Sequence, residues 1–228
     1  MNKLTSVFLA LVIYAIVMTN SVAVMAQSDR GSTAVLFATH RNIAVRGQQI
    51  QLGPQSSPTV AFGQASVNEQ KEGDPRSATL RNTALLTTDQ FRQAIKDAAA
   101  RAKNYERRAL IVIHGFNKTF NQAVIQVASL ASSIKFDGPI ILYSWPSGGA
   151  TYGLERQNAI EAETNLLALL TLVVEEVRSE KVSLVAYGLG SEPLLRATER
   201  LIVSLPSGSQ LGQMLFFAPD VERDVFTR

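Results

Sequence analysis

The residues that could do chemistry in this chain centre on Ala-Tyr-Gly-Leu-Gly at 186–190. An apolar run at 182–186 precedes Gly188 and a helix-like run opens at Ser191, which predicts a sharp strand-to-helix turn at Gly188. In G-x-S-x-G enzymes such a turn lifts a serine nucleophile above a sheet. Glycine adopts the strained backbone of the turn freely but carries no nucleophile. The sequence therefore predicts either this turn without its reactive group or an ordinary glycine turn.

The general base is the next group such chemistry needs. The chain has two histidines, His40 and His114, and both precede Gly188. Triads built on this turn follow the chain order Ser, Asp or Glu, then His, so no histidine stands where the base is expected. We expect His114 to order a loop through a hydrogen bond, or to be a buried structural residue, and His40 to be exposed at the end of the first strand.

Two serines could replace the missing nucleophile. Ser191 opens the predicted helix and is better explained as its N-cap, and Ser147 lies after a strand. The chain has no cysteine and only two widely spaced histidines, which gives no zinc pattern. The glycines at 188–190 lack the Lys-Ser/Thr pair of a phosphate loop. We therefore expect no metal and no other cofactor.

Four segments fall in a fixed order along the chain: His-Gly-Phe-Asn at 114–117, Ser-Trp-Pro-Ser at 144–147, Ala-Tyr-Gly-Leu-Gly at 186–190 and Ala-Pro-Asp at 218–220. This ordered set resembles the bacterial α/β-hydrolase family of unknown function, whose members are similar to lipase- and esterase-type serine hydrolases. The resemblance runs from about Thr33 to the end of the chain.

The resemblance has two departures that bear on activity. The family's His-Ser pair at the turn is Tyr187-Gly188 here, and family members continue through further strands after the segment that contains Asp220. The resemblance implies Asp220 as the acid of a triad. Without a histidine to orient, Asp220 has no triad role, and capping of the following turn explains it equally well.

The resemblance also implies an oxyanion hole whose donors are the backbone N–H groups of Phe116 and Leu189. Backbone donors do not depend on side-chain identity, so such a hole can persist without the nucleophile. The residues that we expect to line a pocket beside it are His114, Asn117, Trp145 and Tyr187. For Trp145, core packing and an apolar pocket wall are equally compatible with the sequence.

The sequence predicts alternating strands and helices, which would position these residues. Short apolar runs typical of parallel strands lie at 34–38, 109–113, 139–143, 182–186 and 214–218. Apolar residues at helical spacing lie near 91–102 and 166–177, and Thr87 with Gln90 and Thr119 with Gln122 each match a capping box. The pattern predicts an α/β fold with three layers and a mostly parallel sheet. The resemblance implies an α/β-hydrolase-like sheet that lacks the last strands of the family.

The domain organisation is simple. Residues 1–26 combine Lys3, an apolar run and Val-Met-Ala at 24–26, which indicates a secretory signal, with an uncleaved membrane anchor as the alternative. Residues 27–228 then form one exported α/β-hydrolase-like domain, periplasmic or secreted. Within it, the Gly-, Pro-, Ser- and Gln-rich segment 41–81 predicts a hairpin-bearing insertion with mobile loops.

The charge and composition of the chain limit the kinds of partner that we expect. The net charge of +3 is scattered along the chain, which excludes a dense nucleic-acid surface. From these observations we expect a catalytically inactive relative of hydrolases. It either binds a small acyl or ester ligand or is a remnant without a role. The alternative is an active serine-type hydrolase that uses an unidentified nucleophile or a partner chain. Self-association is expected through an open sheet edge at 214–218.

Overall fold

The computed structural model describes residues 32–47, 49–70, 74–105, 108–177, 181–204 and 211–226. The predicted signal at 1–26 lies outside the described residues. Within them, no helix has the length and apolar character needed to cross a membrane.

The described chain forms a seven-stranded sheet flanked by helices. The strands are β1 (Ser32–Arg46), β2 (Gln49–Glu69), β3 (Ala78–Leu86), β4 (Arg108–Ile113), β5 (Ile140–Ser144), β6 (Lys181–Tyr187) and β7 (Leu211–Phe217). The helices are α1 (Thr88–Arg101), α2 (Phe120–Ser133), α3 (Tyr152–Glu161), α4 (Glu163–Val177), α5 (Ser191–Ser204) and the short α6 (Arg223–Phe226).

The strand order in the sheet is β3-β2-β1-β5-β4-β6-β7. Strands β1, β5, β4, β6 and β7 pair in parallel, and β2 and β3 are joined antiparallel to the outer side of β1. The predicted α/β class and mostly parallel sheet are therefore confirmed. In the described residues β7 is an edge strand.

Two apolar cores lie on the two faces of this sheet. Helices α1, α4 and α5 pack on one face through residues such as Ile95, Leu170 and Leu194. Helix α2 packs on the other face through residues such as Phe120 and Val124. The central strands are buried on both faces, which is why their sequences are continuous apolar runs.

Both predicted capping boxes are present at helix starts. The Thr87 hydroxyl accepts from the Gln90 N–H at the start of α1, and Thr119 and Gln122 make the same pair at the start of α2. The α2 box matters for the site, because it fixes where the loop after β4 ends and the helix begins.

The segment 41–81 differs from the expectation of a loop-rich insertion. Its hairpins exist, but most of it belongs to β1, β2 and β3, which are strands of the main sheet. β1 pairs with β5 only from Leu36 to Thr39, and beyond Arg41 it continues with β2 alone as a hairpin. The polar composition matches the exposed and half-buried positions that the outer hairpin occupies.

Candidate functional site

The strand-to-helix turn forms where the sequence predicts it. Gly188 follows β6, opens a single 3₁₀ turn (Gly188–Gly190) and has a φ of +48°, in the left-handed region that favours glycine. A Cβ at this position would have Gly115 Cα at 3.9 Å and Ala218 O at 4.0 Å as its nearest neighbours. The turn therefore keeps room for the side chain that it lacks.

Two other glycines hold the loop after β4 against this turn. A Cβ on Gly190 would lie 2.5 Å from His114 O, and one on Gly115 would lie 2.9 Å from Tyr187 O. Both contacts are with backbone atoms, so neither position has room for a side chain. The close approach brings together the segments that carry Phe116 and Leu189, the two expected oxyanion donors. Phe116 is 39% exposed, and Leu189 is buried.

Asp220 reaches the same turn from the segment after β7. Its backbone N–H donates to Gly188 O over 3.1 Å, and its Oδ2 accepts a 2.9 Å hydrogen bond from the Tyr152 hydroxyl. The carboxylate thus bonds a side chain of α3, and the helix-capping interpretation finds no support in these contacts. Tyr152 was not predicted, since only the folding of α3 across the turn brings it here.

His114 is buried and takes part in the loop-ordering hydrogen bonds expected of it. Its Nδ1 lies 2.9 Å from Gly115 O, and its Nε2 lies 3.2 Å from Trp145 O and 3.3 Å from Arg41 Nη2. Burial, and then the charge of Arg41, lower the pKa of His114 to about 3, so the ring is neutral. A neutral ring has one N–H; placed on Nδ1 it donates to Gly115 O and leaves Nε2 to accept from Arg41.

Trp145 belongs to the core. Its side chain has no exposed surface, its indole N–H donates to His114 O over 2.9 Å, and its ring stacks on the imidazole. Both side chains are covered by the surrounding chain, which for Trp145 matches the core-packing alternative, and their role in lining a pocket stays a prediction. Asn117 is exposed, and Tyr187 is half-buried and stacked on Phe217.

Arg41 is a buried cation that sequence reasoning missed. It donates to Ser144 Oγ at 2.8 Å, to Ser147 O at 2.7 Å and to Lys118 O at 2.8 Å. One guanidinium thus joins β1 to the loops after β4 and β5, where its planar set of donors can serve several carbonyls at once. Burial lowers the pKa of Arg41 to about 10, so it remains charged at neutral pH.

Glu155, on α3, is the buried anion that complements Arg41. Its Oε2 accepts from the Asn117 N–H at 2.8 Å and the Ser147 hydroxyl at 2.6 Å, and its Oε1 accepts from the Gly148 N–H at 2.8 Å. Burial alone would raise the pKa of Glu155, but these hydrogen bonds outweigh it and hold the pKa below its ordinary value. Asn117 and Gly148 both have positive φ, so one carboxylate stabilises two turns.

The prediction for His40 was wrong. The residue lies inside β1, is 4% exposed and has its Nδ1 3.0 Å from the Tyr143 hydroxyl. Burial, and then the charge of Arg41, lower its pKa to about 4. β1 continues well past residue 38, so His40 stands beside β5 instead of at a strand end.

Neither serine offers a replacement nucleophile with an activating base. Ser191 is helical, with φ of −72° and ψ of −40°, and its hydroxyl is buried without a hydrogen-bond partner among the described residues, so the N-cap prediction was also wrong. Ser147 is buried, and its hydroxyl donates to Glu155. Both histidines are occupied elsewhere. No three His, Cys, Asp or Glu side chains of the described segments are grouped so that they could hold a metal ion.

Residues 89–228 match the family model described as "Alpha/beta hydrolase of unknown function (DUF900)". No curated protein matches the chain. Among solved structures, the chain is similar to a "putative hydrolase" from Agrobacterium vitis S4, with 16% identity and a TM-score of 0.36. That match covers 78% of this chain and 53% of the other, so the chain spans about half the length of that protein.

The family match takes in β4 to β7, the turn at Gly188 and the segment of Asp220. It also covers more than half of the 228 residues. The chain therefore belongs to the family of alpha/beta hydrolases of unknown function.

Proposed function

We propose that this protein is an α/β-hydrolase-like binding protein without serine-hydrolase turnover, and that it binds a small acyl or ester ligand beside Gly188. The observation that carries the proposal is the turn at Gly188, which has the backbone of a nucleophile turn and room for a side chain, but no nucleophile. A hydrolase that has lost its nucleophile keeps only what its oxyanion donors and binding contacts provide.

The histidines support the absence of turnover. A general base needs to reach the nucleophile and to have a pKa near the working pH. His114 is held by Gly115, Trp145 and Arg41 with a pKa of about 3, and His40 lies against Tyr143 with a pKa of about 4. Neither ring is free to take a proton from a group at position 188.

Ligand binding is supported by the parts of the site that do not depend on a nucleophile. Gly115 and Gly190 allow the loop after β4 to lie against the turn, which brings the segments that carry the Phe116 and Leu189 N–H groups close together. Next to these donors, the vacant space at Gly188 and the exposed ring of Phe116 offer room and apolar surface for an acyl chain.

The test compares wild type with Gly188→Ser and Gly188→Ala. We expect all three to hydrolyse short-chain nitrophenyl esters at background rates and none to be labelled by a fluorophosphonate probe, because Gly188→Ser supplies a hydroxyl without a base. Stoichiometric labelling of a serine in wild type would overturn the proposal. Peptide mapping would then decide whether the buried Ser191, next to the turn, is the nucleophile.

Binding is measured separately with ligands that cannot turn over. A short-chain ketone that carries the carbonyl of the ester is titrated into uniformly labelled protein and followed by NMR. We expect shifts in the backbone amides of Phe116 and Leu189. Shifts confined to residues far from the turn, or none at saturating ketone, would overturn the binding part of the proposal.

We propose further that the chain is exported after cleavage before Gln27. The support lies in the sequence, where a positively charged start is followed by an apolar run and Val-Met-Ala at 24–26. The intact mass of material recovered outside the cytoplasm should correspond to a chain that starts at Gln27. Retention of residues 1–26 in a membrane fraction would favour the anchor and overturn cleavage.

A further inference from the structure

Two exposed aromatic rings and a carboxylate form a corner beside the vacant turn. The rings of Phe116 and Tyr152 have centroids 5.6 Å apart and are inclined by 68°, and their residues are 39% and 47% exposed. The Tyr152 hydroxyl donates to Asp220 Oδ2 over 2.9 Å, which places the carboxylate at the edge of the second ring. We refer to Phe116, Tyr152 and Asp220 as the aromatic corner.

The corner is attached to the turn on both sides. Phe116 follows Gly115, whose Cα would contact a Cβ at position 188, and the Asp220 N–H donates to Gly188 O. Burial of these two rings in the core would stabilise the fold, whereas exposed rings beside the turn do not contribute in this way. Their exposure is therefore better explained by a ligand. Neither ring belongs to the two apolar cores of the sheet.

The charges around the corner favour a cationic ligand over an anionic one. The charged side chains that act on Tyr152 are Asp220, Arg156 and Glu192. The cation among them, Arg156, is paired with Glu222 at 2.7 Å and lies 3.5 Å from Glu192, so its charge is already balanced. Asp220 is exposed, and its carboxylate accepts a hydrogen bond from the neutral Tyr152 hydroxyl.

We propose that the aromatic corner binds an alkylammonium group, so that the ligand of this site carries a cationic head beside its acyl or ester part. The inference rests on the function proposed above and names the chemical class of its ligand. Aromatic faces attract such cations when the charge lies within about 6 Å of the ring centroid. Two rings inclined by 68° can both present faces to one cation, and the Asp220 carboxylate supplies the counter-charge.

The test uses choline, which has the cationic head but no acyl group, and its uncharged isostere dimethylbutanol. Each is titrated into the uniformly labelled full chain at constant, low ionic strength, and backbone amide shifts are recorded. We expect choline to shift the amides of Phe116, Tyr152 and Asp220, with affinity at least about fivefold above that of dimethylbutanol. We also expect added salt to weaken choline binding, since the Asp220 carboxylate is exposed to screening.

Variants assign the effect to individual groups. Asp220→Asn and Tyr152→Leu should each weaken choline binding by about fivefold, whereas Tyr152→Phe, which keeps the ring, should change it by about twofold or less. The matched control is Asp97→Asn, which alters a half-buried acid on α1 that accepts from Gln93 and should leave the affinity unchanged. Thermal unfolding of each variant shows that the fold is intact.

The outcomes separate this inference from the proposed function. Equal binding of dimethylbutanol and choline, an equal loss in Asp97→Asn, or no shift at the corner would overturn the ammonium site. None of these results would bear on fluorophosphonate labelling or ketone binding, which test the proposed function. Conversely, labelling of a serine would overturn the lack of turnover while leaving the choline result standing.

Discussion

The backbone N–H of Asp220 donates a hydrogen bond to the carbonyl oxygen of Gly188 over 3.1 Å. The same carbonyl accepts from the Ser191 N–H, so the turn after β6 is held both by its own helix and by the segment after β7. These bonds involve backbone atoms alone. The conformation of the turn therefore does not depend on the side chain at position 188, although a side chain there must adopt a left-handed φ.

Our first prediction concerns the stability cost of a side chain at this turn. Gly188→Ser and Gly188→Ala should each lower the free energy of unfolding by about 1–3 kcal/mol, because φ of +48° strains any residue with a Cβ. The two losses should agree to within about 0.5 kcal/mol, since the space at the Cβ is open. Urea unfolding measures both. A much larger loss for serine alone would show that its hydroxyl meets an unfavourable contact.

The second prediction contrasts two glycines with opposite surroundings. Gly190→Ala should destabilise the protein by at least about 2 kcal/mol, because its Cβ would lie 2.5 Å from the backbone oxygen of His114. Gly153→Ala, in α3 with no atom within 4 Å of the new Cβ, should stabilise by up to about 1 kcal/mol through helix propensity. Urea unfolding of both variants is the measurement, and equal effects would contradict the close packing of the turn.

Much of the scaffold could be predicted from local sequence. Apolar runs marked the cores of the five parallel strands, and the threonine-glutamine pairs marked two helix starts, since both signals depend only on near neighbours. The position of the turn at Gly188 followed from the strand and helix on either side. These features depend on hydrogen bonds and packing periods within a few residues.

The buried polar network could not be predicted in the same way. Arg41 lies in a segment whose composition suggests loops, yet it is 1% exposed, because its partners are a hydroxyl at the end of β5 and carbonyls in the loops after β4 and β5. Glu155 and Tyr152 reach the site only because α3 crosses it. His40 was misplaced for a related reason, since the length of β1 is set by pairing with β2 and not by its own apolar run.

The third prediction tests the carboxylate that orders two loops. Glu155→Gln should lower the free energy of unfolding by about 3 kcal/mol, because it removes the charge that complements the buried Arg41 and weakens three hydrogen bonds. Hydrogen exchange of the Asn117 and Gly148 amides should accelerate. The control Glu161→Gln, an exposed glutamate of the same helix, should change stability by less than about 0.5 kcal/mol. Unchanged amide exchange in Glu155→Gln would contradict the ordering role.

The fourth prediction is a loss of stability between pH 7 and pH 5. The two histidines have folded pKa values of about 3 and about 4, below the unfolded value of 6.5, so the unfolded chain binds more protons in this range. The histidines therefore contribute their full stabilisation above pH 6.5. As the pH is lowered, the free energy of unfolding decreases, by about 2 kcal/mol per histidine at pH 5. Carboxylates such as Glu155 contribute only at lower pH.

Urea unfolding at a series of pH values measures this loss, and the imidazole resonances report the pKa values directly. His40→Gln should keep a hydrogen-bonding group near Tyr143 and remove about half of the pH dependence. A histidine that titrates near 6.5 in the folded protein would contradict its burial.

The last prediction concerns the edge of the sheet at β7, where we propose that two copies of the chain associate. β7 pairs with β6 on one side and has no partner strand on the other among the described residues. Its sequence carries no charge and no proline, two of the usual features that block edge pairing, and Leu215 and Phe217 are 48% and 45% exposed. Sedimentation velocity over a concentration series should show a dimer, and Leu215→Lys should weaken its association by about tenfold or more. Val45→Lys, at an apolar position on the outer hairpin of β1 that is 67% exposed, is the control that should leave association unchanged. A monomer at every concentration, or equal weakening by both variants, would rule out association through β7.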